Sequence, residues 1–139
     1  MFEGTLPYIG ELPIQDIPSA LDLLAGVYGI KGGDIYAQEY PNVFSPEGHG
    51  IRWGASEGGA LLSTAAALPG ALKFQGQELP FARVGAVATS ESARGRGLAG
   101  EILKGLHGAL IEKGQAVAGL WAARGGIYAR LGYVPVGAS

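Results

Sequence analysis

The chain has 139 residues, 25 of them glycine, no cysteine and a net charge of −2. That length supports one domain with its own core, and the missing cysteines exclude disulfides, thiolate metal sites and a cysteine nucleophile. The weak negative charge, with no basic cluster larger than Arg94 and Arg96, argues against a nucleic-acid partner, and His49 and His107 lack spaced ligand partners, so no metal is expected.

At the N-terminus no basic segment precedes an apolar one, so no secretory leader is expected and a cytoplasmic protein is the default. Thr5 to Leu12 reads as a first strand. Asp16 is placed to cap a helix over Ile17 to Val27, with Pro18 early in it and Ala20, Leu21, Leu24 and Val27 on one face. Gly29 to Pro46, rich in Tyr, Pro and Gly, is irregular or weakly helical. Ile51 to Ser56, a Glu57-Gly58-Gly59 turn and Ala60 to Leu68 predict a hairpin. The longest uncharged run, Gly58 to Leu72, contains Pro69 and is too short to span a bilayer, so no membrane partner is expected. A further turn at Gln75-Gly76-Gln77 leads toward a strand ending V-G-A-V-A-T, Val84 to Thr89.

The stretch that follows is the most informative. After Ser90 to Ala93 come Arg94-Gly95-Arg96-Gly97, and then apolar residues at helical spacing: Leu98, Ile102, Leu103, Leu106, Ala109 and Leu110. Strand, glycine-arginine turn and helix start, in that order, make a phosphate grip. The first-turn amides of a helix point outward with partial positive charge, glycines let backbone approach an anion, and arginines add charge-assisted hydrogen bonds. Gly95 to Gly100 matches G-x-G-x-x-G, the dinucleotide fingerprint. That reading is set aside because a spacer separates Thr89 from Gly95, and because Gln115 to Arg124 lacks the acidic residue expected about 20 positions on. A P-loop is excluded because no G-K-[ST] follows.

Arg94-x-x-Gly97-x-Ala99, a few residues past the V-G-A-V-A-T strand, resembles motif A (Q/R-x-x-G-x-G/A) of the GCN5-related N-acetyltransferases. After the helix, Gly114 is a plausible C-terminal cap and Ala116 to Trp121 reads as a short buried strand. Gly126 to Gly137, containing Y-A-R-L-G-Y and then V-P-V-G, is similar to the family's second block, a short helix carrying Y-x-R-[FL]-G-[FY] followed by a strand. Together the blocks cover about Val84 to Gly137. The V-A-T and G-Y-V-P-V-G context is similar to the bacterial subgroup that includes the Eis-like enzymes. The fold implied is α/β: a mixed, mostly antiparallel sheet with helices on both faces. The family's last strand has no counterpart before Ser139, so the expectation is a shortened domain or the N-terminal part of a longer protein. An exposed edge at Tyr133 to Val136 would then permit a homodimer.

The resemblance implies transfer of an acetyl group from acetyl-CoA to a primary amine. It implies that the backbone of Val87, Ala88 and Thr89 pairs with the pantetheine arm, with Gly85 and Ala86 easing a bulge in that strand. The amides of Gly95, Arg96, Gly97, Leu98, Ala99 and Gly100 would cradle the pyrophosphate, Arg94 or Arg96 would add charge, and Val87 or Ala88 would offer an amide to the oxyanion. Tyr128 aligns with the tyrosine that protonates the departing thiolate. Glu57, Glu78 and His49 are general-base candidates by type only, and none is assigned. Trp53, Tyr28, Tyr36 and Tyr40 could line the acceptor site, while Trp121, Leu131 and Tyr133 read as packing and His107 as a partly exposed helix residue. The alternative is a non-catalytic or incomplete acyl-CoA-binding domain.

Overall fold

In the computed structural model, which describes residues 7–28, 50–115, 117–120 and 126–134, the order of elements follows the hydrophobic pattern closely. Strand β1 (Tyr8–Glu11) is followed by a 3-10 turn, Ile14–Asp16, that runs straight into helix α1 (Ile17–Tyr28). Then come β2 (Ile51–Glu57), β3 (Ala60–Phe74), β4 (Gln77–Thr89), α2 (Leu98–Glu112), β5 (Val117–Gly119) and α3 (Gly126–Arg130). The described strands form one sheet in the order β1-β2-β3-β4-β5, antiparallel up to β4, with β5 parallel to β4. The parallel pair requires a crossover, and α2 supplies it.

Helices cover both faces. On one, Leu98, Ile102, Leu103, Leu106 and Leu110 of α2 bury against Ile51, Ala55, Ala65, Ala67, Ala82 and Val84. On the other, Ala20, Leu21 and Leu24 of α1 pack with Leu12, Ala66 and Ala88. The strands offer mostly alanine where the helices offer leucine, so the long side chains fill the gap from one side. Each buried leucine contributes roughly 1.5–3 kcal/mol. Trp53 joins the α2 face and lies on Gly105, where a Cβ would stand 2.0 Å from Trp53 Cζ3. Gly105 is therefore the socket for an indole ring, and the ring belongs to the core beneath α2. Gly108, by contrast, faces open space, and nothing in the structure explains it.

The β3–β4 hairpin is longer than the sequence pattern suggests. Its ladder runs from Ser63↔Thr89 to Phe74↔Gln77. Pro69, just past the predicted strand end at Leu68, and Pro80 both sit inside it. Pro69 lies past Ile51↔Ala67, the last pair of β3 with β2, and Pro80 lies just before Phe81↔Val117, the first pair of β4 with β5. At both places the strand is an edge on one side, where a missing N–H is tolerated. The Gln75-Gly76 turn, with both residues at positive φ, closes the hairpin. Tyr133 and Val134 lie in no strand, and Pro135 and Val136, the rest of the expected strand edge, lie outside the described residues.

Candidate functional site

A buried hydroxyl and a half-buried one fix the end of β4. Ser63 Oγ is 3.2 Å from the carbonyl of Ala88, to which it donates, and 2.8 Å from Thr89 Oγ1. Between the pairs Thr64↔Ala88 and Ala66↔Gly85, two residues of β4, Ala86 and Val87, oppose the single Ala65. This is a β-bulge at the place expected from Gly85 and Ala86, and it holds Ala86 at φ 53°, a conformation an alanine rarely adopts. The ladder to β5 covers only Phe81 to Arg83, so Ala88 and Thr89 lie beyond it.

Past Thr89 a 3-10 turn, Glu91–Ala93, carries the chain to the loop. Gly95 and Gly97 both have positive φ, 84° and 76°. Gly97 is the N-cap of α2, and no side chain caps that helix; its first backbone bond runs from Glu101 N–H to the Gly97 carbonyl. The amides of Leu98, Ala99 and Gly100 therefore have no intrahelical acceptor. A Cβ built at Gly95, Gly97 or Gly100 meets nothing within 4 Å, so the loop is open as well as rich in donors. These features fit a diphosphate.

The two arginines are placed differently. Arg94 Nε donates to the Thr89 carbonyl at 3.3 Å, which folds its exposed side chain back over the strand end. Arg96 makes a two-pronged bridge to Glu57 in the β2–β3 turn, at 2.9 and 3.3 Å. Hydrogen bonding to Arg96 holds the Glu57 carboxyl below its ordinary range, and the same bond raises the guanidinium. A carboxylate stabilised in this way is a poor proton acceptor. Glu78 is no better placed, because it pairs with Lys73 at the tip of the hairpin, ten residues of extended strand and about 33 Å from Ala88.

Tyr128 lies on α3 and packs at the border of the core cluster that also includes Val87 and Leu131. The short helix closes on Gly132, at φ 97°, with Gly132 N–H bonded to the Ala129 carbonyl and Tyr133 N–H to that of Tyr128. That pattern is a Schellman cap. Gly114 closes α2 by the same pattern, as its position after the helix predicts. The rings of Tyr128 and Tyr133 meet edge to face at 6.0 Å, and the Tyr133 hydroxyl is 2.6 Å from Nε2 of His107. Sequence reasoning missed this pair: Tyr133 was expected only to pack and His107 only to be partly exposed. The L-G-Y ending of the cap is a signal for the tyrosine contact, but none points to a histidine on α2.

His49, Tyr36, Tyr40, Trp121 and the side chain of Tyr28 lie outside the described residues. Among the described residues there is no cluster of metal-ligating side chains, and no helix is long and apolar enough to cross a membrane. A surface hollow bounded by Tyr8, Glu11, Ile14 and Arg52 sits by β1, at the far edge of the sheet from β5, and takes no part in this site.

Residues 9–136 match the family pattern of the acetyltransferase (GNAT) domain. No curated protein matches the chain in sequence. Among solved structures, a probable N-acyltransferase of unknown function from Enterococcus faecalis superposes with a TM-score of 0.81 at 21% identity, over 92% of this chain and 32% of its own. This chain thus spans about a third of that protein. A predicted acetyltransferase from Clostridium acetobutylicum, solved with acetyl-CoA, gives 0.78 at 17% identity over 94% of this chain and 92% of its own. Glucosamine-6-phosphate N-acetyltransferase from Arabidopsis thaliana gives 0.76 at 16%, over 97% and 96%. Likeness at these identities bears on the fold.

Proposed function

The chain belongs to the acetyltransferase (GNAT) domain family, and from that premise we propose that it transfers an acetyl group from acetyl-CoA to a primary amine. The observation that carries the reading is the uncapped N-terminus of α2, opened by two glycines at positive φ and set at the end of a bulged strand. Bound acetyl-CoA supplies an activated acyl thioester. The amides of Gly95 to Gly100 hold its pyrophosphate, and the terminal nitrogens of Arg94 add charge. The backbone of Val87, Ala88 and Thr89 orients the pantetheine arm, and the amide of Val87 or Ala88 donates to the developing oxyanion. Tyr128 holds a proton at its hydroxyl for the departing thiolate, a phenol near pKa 10 being suited to that task. With Glu57 tied to Arg96 and Glu78 remote, neither is given the role of base. Kinship with the Eis-like enzymes, a cytoplasmic setting and the identity of the amine belong to the same proposal; likeness to a protein three times this length is consistent with the first.

Calorimetric titration with acetyl-CoA, with NAD as control, tests the loop, and a panel of amines assayed by thiol release tests the transfer. Binding of acetyl-CoA alone, with an acetylated amine, is the expected result. Tight binding with no amine acetylated would support a non-catalytic acyl-CoA binder instead. Displacement of CoA by NAD would sink the loop assignment. Tyr128→Phe is expected to lower turnover more than acetyl-CoA affinity.

A further inference from the structure

The turn after α3 links Tyr128 to a residue of α2 that has no part in the scheme above. In Y-A-R-L-G-Y the Schellman cap puts Tyr128 three positions inside the helix end and Tyr133 two beyond it. These are the positions whose side chains meet across such a cap. The rings do meet, at 6.0 Å and 81°. Tyr133 then reaches α2, with its hydroxyl 2.6 Å from His107 Nε2 and the two rings 5.3 Å apart. Three rings in succession therefore connect the body of α2 to Tyr128.

Helix α3 has five residues, far too few to hold a shape alone, so what grips its end decides where Tyr128 stands. His107 is well suited to grip. It follows fully buried Leu106 on a helix anchored by its whole apolar face. Burial lowers the His107 imidazole, and burial followed by the nearness of Tyr128 raises the Tyr133 phenol, so both stay uncharged near neutrality. A phenol O–H then donates to Nε2 when the ring proton sits on Nδ1.

We infer that His107 is a positioning residue for Tyr128, acting through the Tyr133 hydroxyl; the inference rests on the reading of Tyr128 as proton donor. The test uses the full chain labelled at tyrosine, with the Tyr128 ring resonances assigned by their loss in Tyr128→Phe. Tyr133→Phe, which keeps the ring and removes only the hydroxyl, and His107→Leu are both expected to shift those resonances. In both, kcat is expected to fall about 3- to 10-fold at unchanged KM for acetyl-CoA, the size of one lost hydrogen bond. His107→Gln, whose amide reaches the same hydroxyl, is expected to recover part of the loss. Tyr128 resonances unchanged in both variants would overturn the inference, as would a kcat loss that tracks lowered Tm and is not rescued by glutamine. Full turnover in Tyr128→Phe is a separate failure: it removes Tyr128 from the chemistry, while the resonance shift still reports whether His107 sets that ring.

Discussion

The start of α2 and the end of α3 are each made by a glycine at positive φ, and the two glycines do opposite things to the backbone. Gly97 opens α2 with no side-chain cap, leaving first-turn amides to be satisfied from outside the chain. Gly132 turns the chain so that the carbonyls of Tyr128 and Ala129 are satisfied from within it. One end is an unfilled set of donors and the other a closed set of bonds around a tyrosine. On the proposed function, a site built this way would separate its tasks: the open end would bind, and the closed end would hold the side chain of Tyr128 in place. If that separation is real, variants at the two ends should fail in different assays.

The largest effect is expected at the open end. Gly97→Glu puts a carboxylate where an anion should sit and is expected to abolish acetyl-CoA binding by calorimetry. The fold should survive, because the strain of one residue in the left-handed region, about 1–2 kcal/mol, is partly offset by a negative charge at a helix N-terminus. Unchanged affinity in a folded variant would remove the loop from the site.

The body of α2 provides the control between the two ends. Gly105→Ala drives a methyl into Trp53, 2.0 Å from Cζ3, and is expected to cost about 1–3 kcal/mol in denaturant unfolding. Gly108→Ala meets nothing within 4 Å and is expected to stabilise by about 0.5–1 kcal/mol. Equal effects would mean that Trp53 does not lie on α2 as described.

At the closed end, Gly132→Ala meets no atom within 4 Å, so its cost is the backbone strain alone, about 1–2 kcal/mol. It is expected to lower turnover while acetyl-CoA affinity stays as it was. A loss of affinity as large as that in Gly97→Glu would erase the distinction between the two ends.

His107 adds a pH signature to the closed end. Burial lowers its pKa below the ordinary 6.5, so the folded protein prefers the neutral ring. The unfolded chain then binds more protons as pH falls past about 6.5, and stability present above that pH is lost down to the folded value. Tm measured from pH 8 to pH 5 should therefore fall less in His107→Gln than in the wild type, with His49→Gln as the control. An unchanged slope would place His107 in solvent.

What could be read in advance follows the range of the interactions. The end of β4, the loop and the start of α2 were legible because each is decided within a few residues, by V-A-T, by R-G-R-G and by a leucine stripe. The Gly114 cap was legible for the same reason. The hairpin was underestimated because Pro69 and Pro80 are judged by what lies beside the strand, which only the register supplies. The tyrosine turn was half legible: the cap pairs Tyr128 with Tyr133, but His107 lies 26 residues away from Tyr133 in sequence. Trp53 packs in the socket at Gly105, a contact between β2 and α2 that no local pattern encodes.

The Arg96–Glu57 bridge is the least legible contact, spanning 39 positions, and it supplies the smallest prediction. It ties the loop to the β2–β3 turn but places a carboxylate beside the donors proposed to hold an anion. Both partners are solvent-exposed, with side chains 40% and 34% accessible, so its contribution to stability is expected to be slight. Its effect on binding should be easier to see. Glu57→Gln removes one negative charge near the loop and frees Arg96 for the phosphates, so acetyl-CoA should bind modestly tighter at low salt. The gain should fade as salt is raised, because exposed charges are screened. Weaker binding in Glu57→Gln would reverse the assignment: the bridge would then be a brace that holds the open end open.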